Sequence, residues 1–98
     1  MILGRVVGTV VATQKDEGLE GYKLLVVQGV GLDLKPKDSY VVATDTVGAG
    51  VGEIVVCVAG SSARMTRQTT EKPVDNAIIA IVDYLDLEGK VVYRKEED

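Results

Sequence analysis

Four carboxylates, Asp45, Glu53, Asp75 and Asp83, stand in apolar or glycine-rich sequence, the setting in which a buried pair of acids can exchange protons with a substrate. Their spacing does not pair them. The more common fate of such groups is to accept backbone N–H bonds or to meet a cation, and Arg64 is the natural partner for one of them. Cys57 is the one cysteine and sits inside the apolar run Ile54-Val55-Val56-Cys57-Val58 with no base beside it. It therefore reads as a small buried hydrophobe with a raised pKa, not a nucleophile. Ser61 and Ser62 lack the G-x-S-x-G elbow and the chain has no histidine, the commonest general acid/base and metal ligand. These serines read as helix caps or subunit contacts, and no catalytic, cofactor or metal site is assigned.

The segment Val47-Gly48-Ala49-Gly50-Val51-Gly52-Glu53 is the other chemical candidate. Glycine-rich loops cradle phosphates when they end at a helix N-terminus and offer free N–H groups. Here the spacing is G-x-G-x-G, no Gly-Lys-Ser/Thr follows, and a β-branched run comes next, so the context argues against a nucleotide. Glycines at every second position instead mark a tightly constrained loop or a place where another backbone, a ligand or a symmetry mate comes close.

The elements that position these residues are short strands. The first is expected from Ile2 to Ala12, the second from Tyr22 to Gln28, the third from Tyr40 to Thr44 and the fourth from Glu53 to Val58. Lys35-Pro36-Lys37-Asp38-Ser39 reads as a turn, Gly60-Ser61-Ser62 as the cap of a helical turn ending near Arg64, and 65–72 as an exposed loop. A further turn at 73–77 precedes the apolar Ile78 to Val82. Asp86 to Lys90 is a hairpin turn, Val91 to Arg94 a last strand, and 95–98 an acidic, solvated tail. The pattern predicts one all-β domain over 1–98, a small five-stranded Greek-key barrel resembling the oligonucleotide/oligosaccharide-binding (OB) fold, with one or two short helical turns.

Composition bounds the function. Hydrophobic residues make up 46% of the 98, with no Phe or Trp, so Val, Ile, Leu and Ala must build the core, as suits a packed sheet. A barrel this small covers one face of its strands, and strands apolar on both faces imply an exposed patch of the kind that marks an interface. The net charge of −4 argues against nucleic acid or anionic lipid, whose binding draws on clustered Lys and Arg. A single cysteine, no signal-like start and no run approaching about 18 apolar residues point to a cytoplasmic chain with no membrane segment.

Several ordered motifs together carry a resemblance: Gly4-Arg5-Val6-Val7-Gly8 with Val11-Ala12-Thr13, Gly21 to Gln28, Ala43 to Glu53, Gly60 to Arg64, Pro73-Val74-Asp75 and Ile81-Val82-Asp83. In these the chain resembles the EutN/CcmL family, the vertex proteins of bacterial microcompartments. The resemblance implies a five-stranded barrel that assembles head to tail into a homopentamer and caps the corners of a shell otherwise tiled by hexameric shell proteins. It further implies that Gly48, Ala49, Gly50, Val51, Gly52 and Glu53 lie at the five-fold axis or pore, with Glu53 either facing water or accepting backbone N–H bonds. Ser61, Ser62, Arg64 and Asp75 would fall at subunit contacts, with Arg64 bonded to Asp75 of a neighbour. The alternative reading is a small OB-like binding module for a ligand or single-stranded nucleic acid. Four tyrosines on an acidic chain make a poor stacking platform for the latter.

Overall fold

A computed structural model describes residues 1–13, 18, 21–60, 63 and 75–97. Seven strands are present among them: β1 (Ile2–Val10), β2 (Lys23–Val30), β3 (Pro36–Asp45), β4 (Ile54–Ala59), β5 (Asn76–Ile81), β6 (Tyr84–Leu87) and β7 (Lys90–Arg94). The first five close into a barrel in the order β1-β2-β3-β5-β4, and β4 pairs back onto β1. All neighbours are antiparallel except β3 and β5, whose parallel seam is Thr44 opposite Ala77 and Asp45 opposite Ile78. This is the Greek-key barrel expected from the strand spacing.

Period-two alternation decides which side chains fill it. Along β2, Leu25 and Val27 point inward while Leu24, Val26 and Gln28 point outward half-buried. Val6, Leu25, Val27, Ala43, Ala49, Val55, Cys57 and Ile78 form the main core, all fully or almost fully removed from water. The barrel wall is so tight at Gly4 that a Cβ there would fall on Val27 Cγ1 and lie 3.0 Å from the Gln28 carbonyl oxygen. The second apolar face is also present: Gly8, Val26 and Val42 form an outward row across three strands, with Val42 51% and the nearby Tyr40 60% exposed.

Beyond the barrel, β6 and β7 make a separate two-stranded sheet whose turn, at Glu88 (φ 53°) and Gly89 (φ 81°), has the two left-handed residues that suit a right-twisted hairpin. Its buried Tyr93 packs with Val30 and Ile54, and Leu3, Leu34, Val82 and Leu85 close around them.

Several boundaries differ from expectation. The turn expected at 35–39 lies earlier, because Asp33 Oδ1 accepts the Lys35 N–H at 3.0 Å and Leu34 N–H bonds the Gly31 carbonyl at 2.9 Å. Pro36 then heads β3 opposite Val30, a strand position that tolerates its missing N–H. Pairing of β1 stops at Val10, short of Ala12, and β5 begins at Asn76, inside the turn expected over 73–77. The helical turn expected at 60–64 falls largely outside the described residues, as does the loop over 65–72, and a 3-10 turn stands at Lys95–Glu97.

Candidate functional site

The glycine loop connects β3 to β4 and is held by partners from outside it at Val47, Gly48, Ala49, Gly52 and Glu53, with Gly50 bonded to Glu53 within it. Asp45, the last residue of β3, has a side chain only 3% exposed and accepts the N–H groups of Val47 and Gly48, both at 3.1 Å. Asp and Asn favour this local side-chain-to-backbone arrangement in turns. Lys23 donates to the Ala49 carbonyl at 2.8 Å and stands 3.9 Å from Asp45 Oδ2. Gly50 N–H donates to Glu53 Oε1 at 2.6 Å. Arg5 Nη1 donates to the Gly52 carbonyl at 2.8 Å, while Gly52 N–H bonds the Val6 carbonyl and Val6 N–H bonds the Glu53 carbonyl.

Two of the glycines are required by backbone conformation: Gly48 has φ 81° and Gly52 φ 96°, the left-handed region that side chains disfavour. Space is not what they save, since among the described residues a Cβ at either would meet no atom within 4 Å beyond its own chain neighbours. Ala49 is buried in the core, Gly50 is half-buried, and Val51 is 64% exposed at the tip. The loop is thus anchored inward at Ala49 and open outward at Gly48, Val51 and Gly52.

Glu53 accepts a backbone N–H, one of the two fates expected for it, and also bonds Lys95 Nζ at 2.7 Å through its second oxygen. Lys95 foremost, then the Gly50 N–H, holds the Glu53 carboxyl below its ordinary value, and Glu53 in turn raises Lys95. Both groups are therefore charged at neutral pH. The pair borders an open cleft of about 460 Å³ with Arg5, Val51, Gly52 and Tyr93.

The four carboxylates do not converge as an acid/base pair. Asp45 and Glu53 serve the two ends of the loop, whereas Asp75 and Asp83 are exposed. Asp75 contributes its carbonyl to the Gly60 N–H at 2.8 Å. Ser61, Ser62 and Arg64, and so the expected Arg64–Asp75 bond, lie outside the described residues. The cations that meet the carboxylates are Lys23 and Lys95, which the sequence reading did not single out. Their signals were faint: Lys23 follows Tyr22 at a strand start, and Lys95 precedes an acidic run that reads as solvated. Arg5 was visible only as part of the motif Gly4-Arg5-Val6-Val7-Gly8, with nothing to tie it to the loop.

Cys57 is fully buried in the core, and burial pushes its thiol up to about 11. In the folded chain at pH 8 an aromatic disulfide reagent is expected to react with it more than about tenfold more slowly than in denaturant, since the thiolate is the reacting form. Equal rates in a colorimetric thiol assay would contradict its burial.

Comparison with known proteins gives a consistent picture. Residues 1–83 match the family model described as ethanolamine utilisation protein EutN/carboxysome. The carboxysome shell vertex protein CcmL of Synechococcus elongatus is 46% identical over 97 residues, covering 99% of this chain and 98% of that one. The structure of Gloeobacter violaceus CcmL superposes with a TM-score of 0.92 at 38% identity, covering 98% and 99% of the two chains. The GrpN pentameric microcompartment shell protein from Rhodospirillum rubrum gives 0.78 at 48% identity, covering 89% and 98%.

Proposed function

We propose, because this chain belongs to the EutN/CcmL family, that it is a structural protein of a bacterial microcompartment shell, five copies of which form a ring that closes a vertex. The observation that carries this reading is the likeness to shell vertex proteins along nearly the whole chain, in sequence and in backbone. It works within the shell, inside the bacterial cytoplasm, and its contribution is geometric, not catalytic. A sheet of hexagonal tiles cannot close on itself, so pentagons must sit at the corners, and one heterologous contact repeated by a five-fold rotation makes a closed ring. Hexameric shell proteins are the neighbours such a ring requires.

In this reading the Gly48–Glu53 loop faces the five-fold axis, and Asp75, with Ser61, Ser62 and Arg64, belongs to the contact between subunits. The open space outside Gly48 and Gly52 supports the first assignment. So does the pairing of Glu53 with Lys95, since five carboxylates without counter-charges around one axis would repel each other. The outward row of Gly8, Val26 and Val42 supplies apolar surface of the kind subunit contacts bury.

Native mass spectrometry at near-physiological ionic strength is expected to show one dominant species at five times the 10.4 kDa subunit mass. A stable monomer over micromolar concentrations would remove the ring and leave the barrel as a binding module.

A further inference from the structure

Among the described residues the chain beyond β5 adds no strand to the barrel, yet Lys95 returns to the glycine loop. Tyr93 of β7 is buried on Ile54, the residue that follows Glu53, and Val82 N–H donates to the Ile54 carbonyl at 2.8 Å. After β7 the chain turns, and Lys95 N–H is pinned to the Asp83 carbonyl at 3.0 Å, while the preceding Arg94 lies over the Tyr84 ring with its guanidinium carbon 5.4 Å from the centroid. Those contacts fix where Lys95 starts. Its ammonium then meets Glu53 Oε2 at 2.7 Å, which leaves Oε1 aimed at the Gly50 N–H.

We infer that the β6–β7 hairpin and the Lys95–Glu97 turn act as a brace for the Gly48–Glu53 loop, with Lys95 as its positioning residue. A glutamate carboxylate has freedom about three side-chain bonds, and holding one oxygen on a cation selects the rotamer that brings the other to Gly50. With Lys95 removed, Glu53 gains the open cleft beside it as an alternative, and the Gly50 N–H loses its partner for part of the time. The brace goes beyond the shell role, because it operates within one chain and does not depend on ring formation. Most of it lies past the stretch 1–83 that the family model matches.

Amide hydrogen exchange of the full chain, resolved by NMR, tests this. Lys95→Met keeps most of the apolar stem and removes the charge. It is expected to speed exchange at Gly50 about two- to fivefold, the range an ion pair of this exposure supports, while Leu25 and Ile78 in the core keep their rates. Lys95→Arg is expected to restore Gly50 to within about twofold of the parent. A chain ending at Arg94 should behave like Lys95→Met. Unchanged exchange at Gly50 in both Lys95→Met and the shortened chain overturns the inference, as does an equal rise at Gly50 and in the core.

Discussion

Gly4→Ala is expected to destabilise the barrel by about 2–3 kcal/mol, the upper part of the range of about 1–3 kcal/mol for forcing an extra carbon into a packed interior. The added Cβ has nowhere to go: Val27 Cγ1 occupies its position, and the Gln28 carbonyl oxygen behind is fixed in the β1–β2 ladder. Val27 is β-branched and wholly buried, so its side chain cannot rotate away without displacing a neighbour. Urea denaturation at fixed protein concentration reads the effect, with concentration matched because assembly itself would add to apparent stability. Two companions make the cause specific. Gly8→Ala on the same strand, where the nearest atom would be 3.8 Å away, should leave subunit unfolding within about 0.5 kcal/mol of the parent. Val27→Ala combined with Gly4→Ala should recover part of the loss, since it removes the colliding methyl. Wild-type stability in Gly4→Ala would mean that the wall is not packed as described.

Asp45→Ala comes next in size, at about 2 kcal/mol, because it removes the acceptor for the Val47 and Gly48 N–H groups and leaves Lys23 without its carboxylate. Asp45→Asn is the informative control. An amide oxygen in the same place can accept both N–H groups, so only the part due to charge is lost, and the cost should fall below about half of that for alanine. Denaturant unfolding of the three chains, with exchange at the Val47 and Gly48 amides, separates the two contributions. Equal losses for alanine and asparagine would show that charge alone, and not the turn, is what Asp45 supplies.

Much of the barrel was legible because strand signals in this chain are strong: β-branched runs alternate along β2, and the glycine loop and the Glu88-Gly89 hairpin punctuate it. The turn before β3 was placed too late because Lys35-Pro36-Lys37-Asp38-Ser39 holds three turn-favouring residues, Pro36, Asp38 and Ser39, whereas the turn is made by Asp33 and a left-handed Leu34. Leucine carries no such signal, and the chain accepts its φ of 66° because hydrogen bonds on either side fix the loop. The site was half legible. Glycine spacing and the carboxylates at Asp45 and Glu53 pointed to the loop, but their cations come from 22 and 42 residues away in sequence. Lysines at such separations look like any solvated lysine until the topology brings them in, and Tyr84 to Leu87 was missed because a four-residue strand has too little pattern to recognise.

The parallel seam between β3 and β5 rests on Thr44 opposite Ala77 and Asp45 opposite Ile78, reinforced by Thr46 Oγ1 donating to the Ile78 carbonyl at 2.7 Å. Asp45 is at once the last rung of that seam and the anchor of the glycine loop. A change in the loop's shape at Asp45 therefore bears directly on the shortest stretch of pairing in the wall. One residue thus closes the seam and fastens the loop.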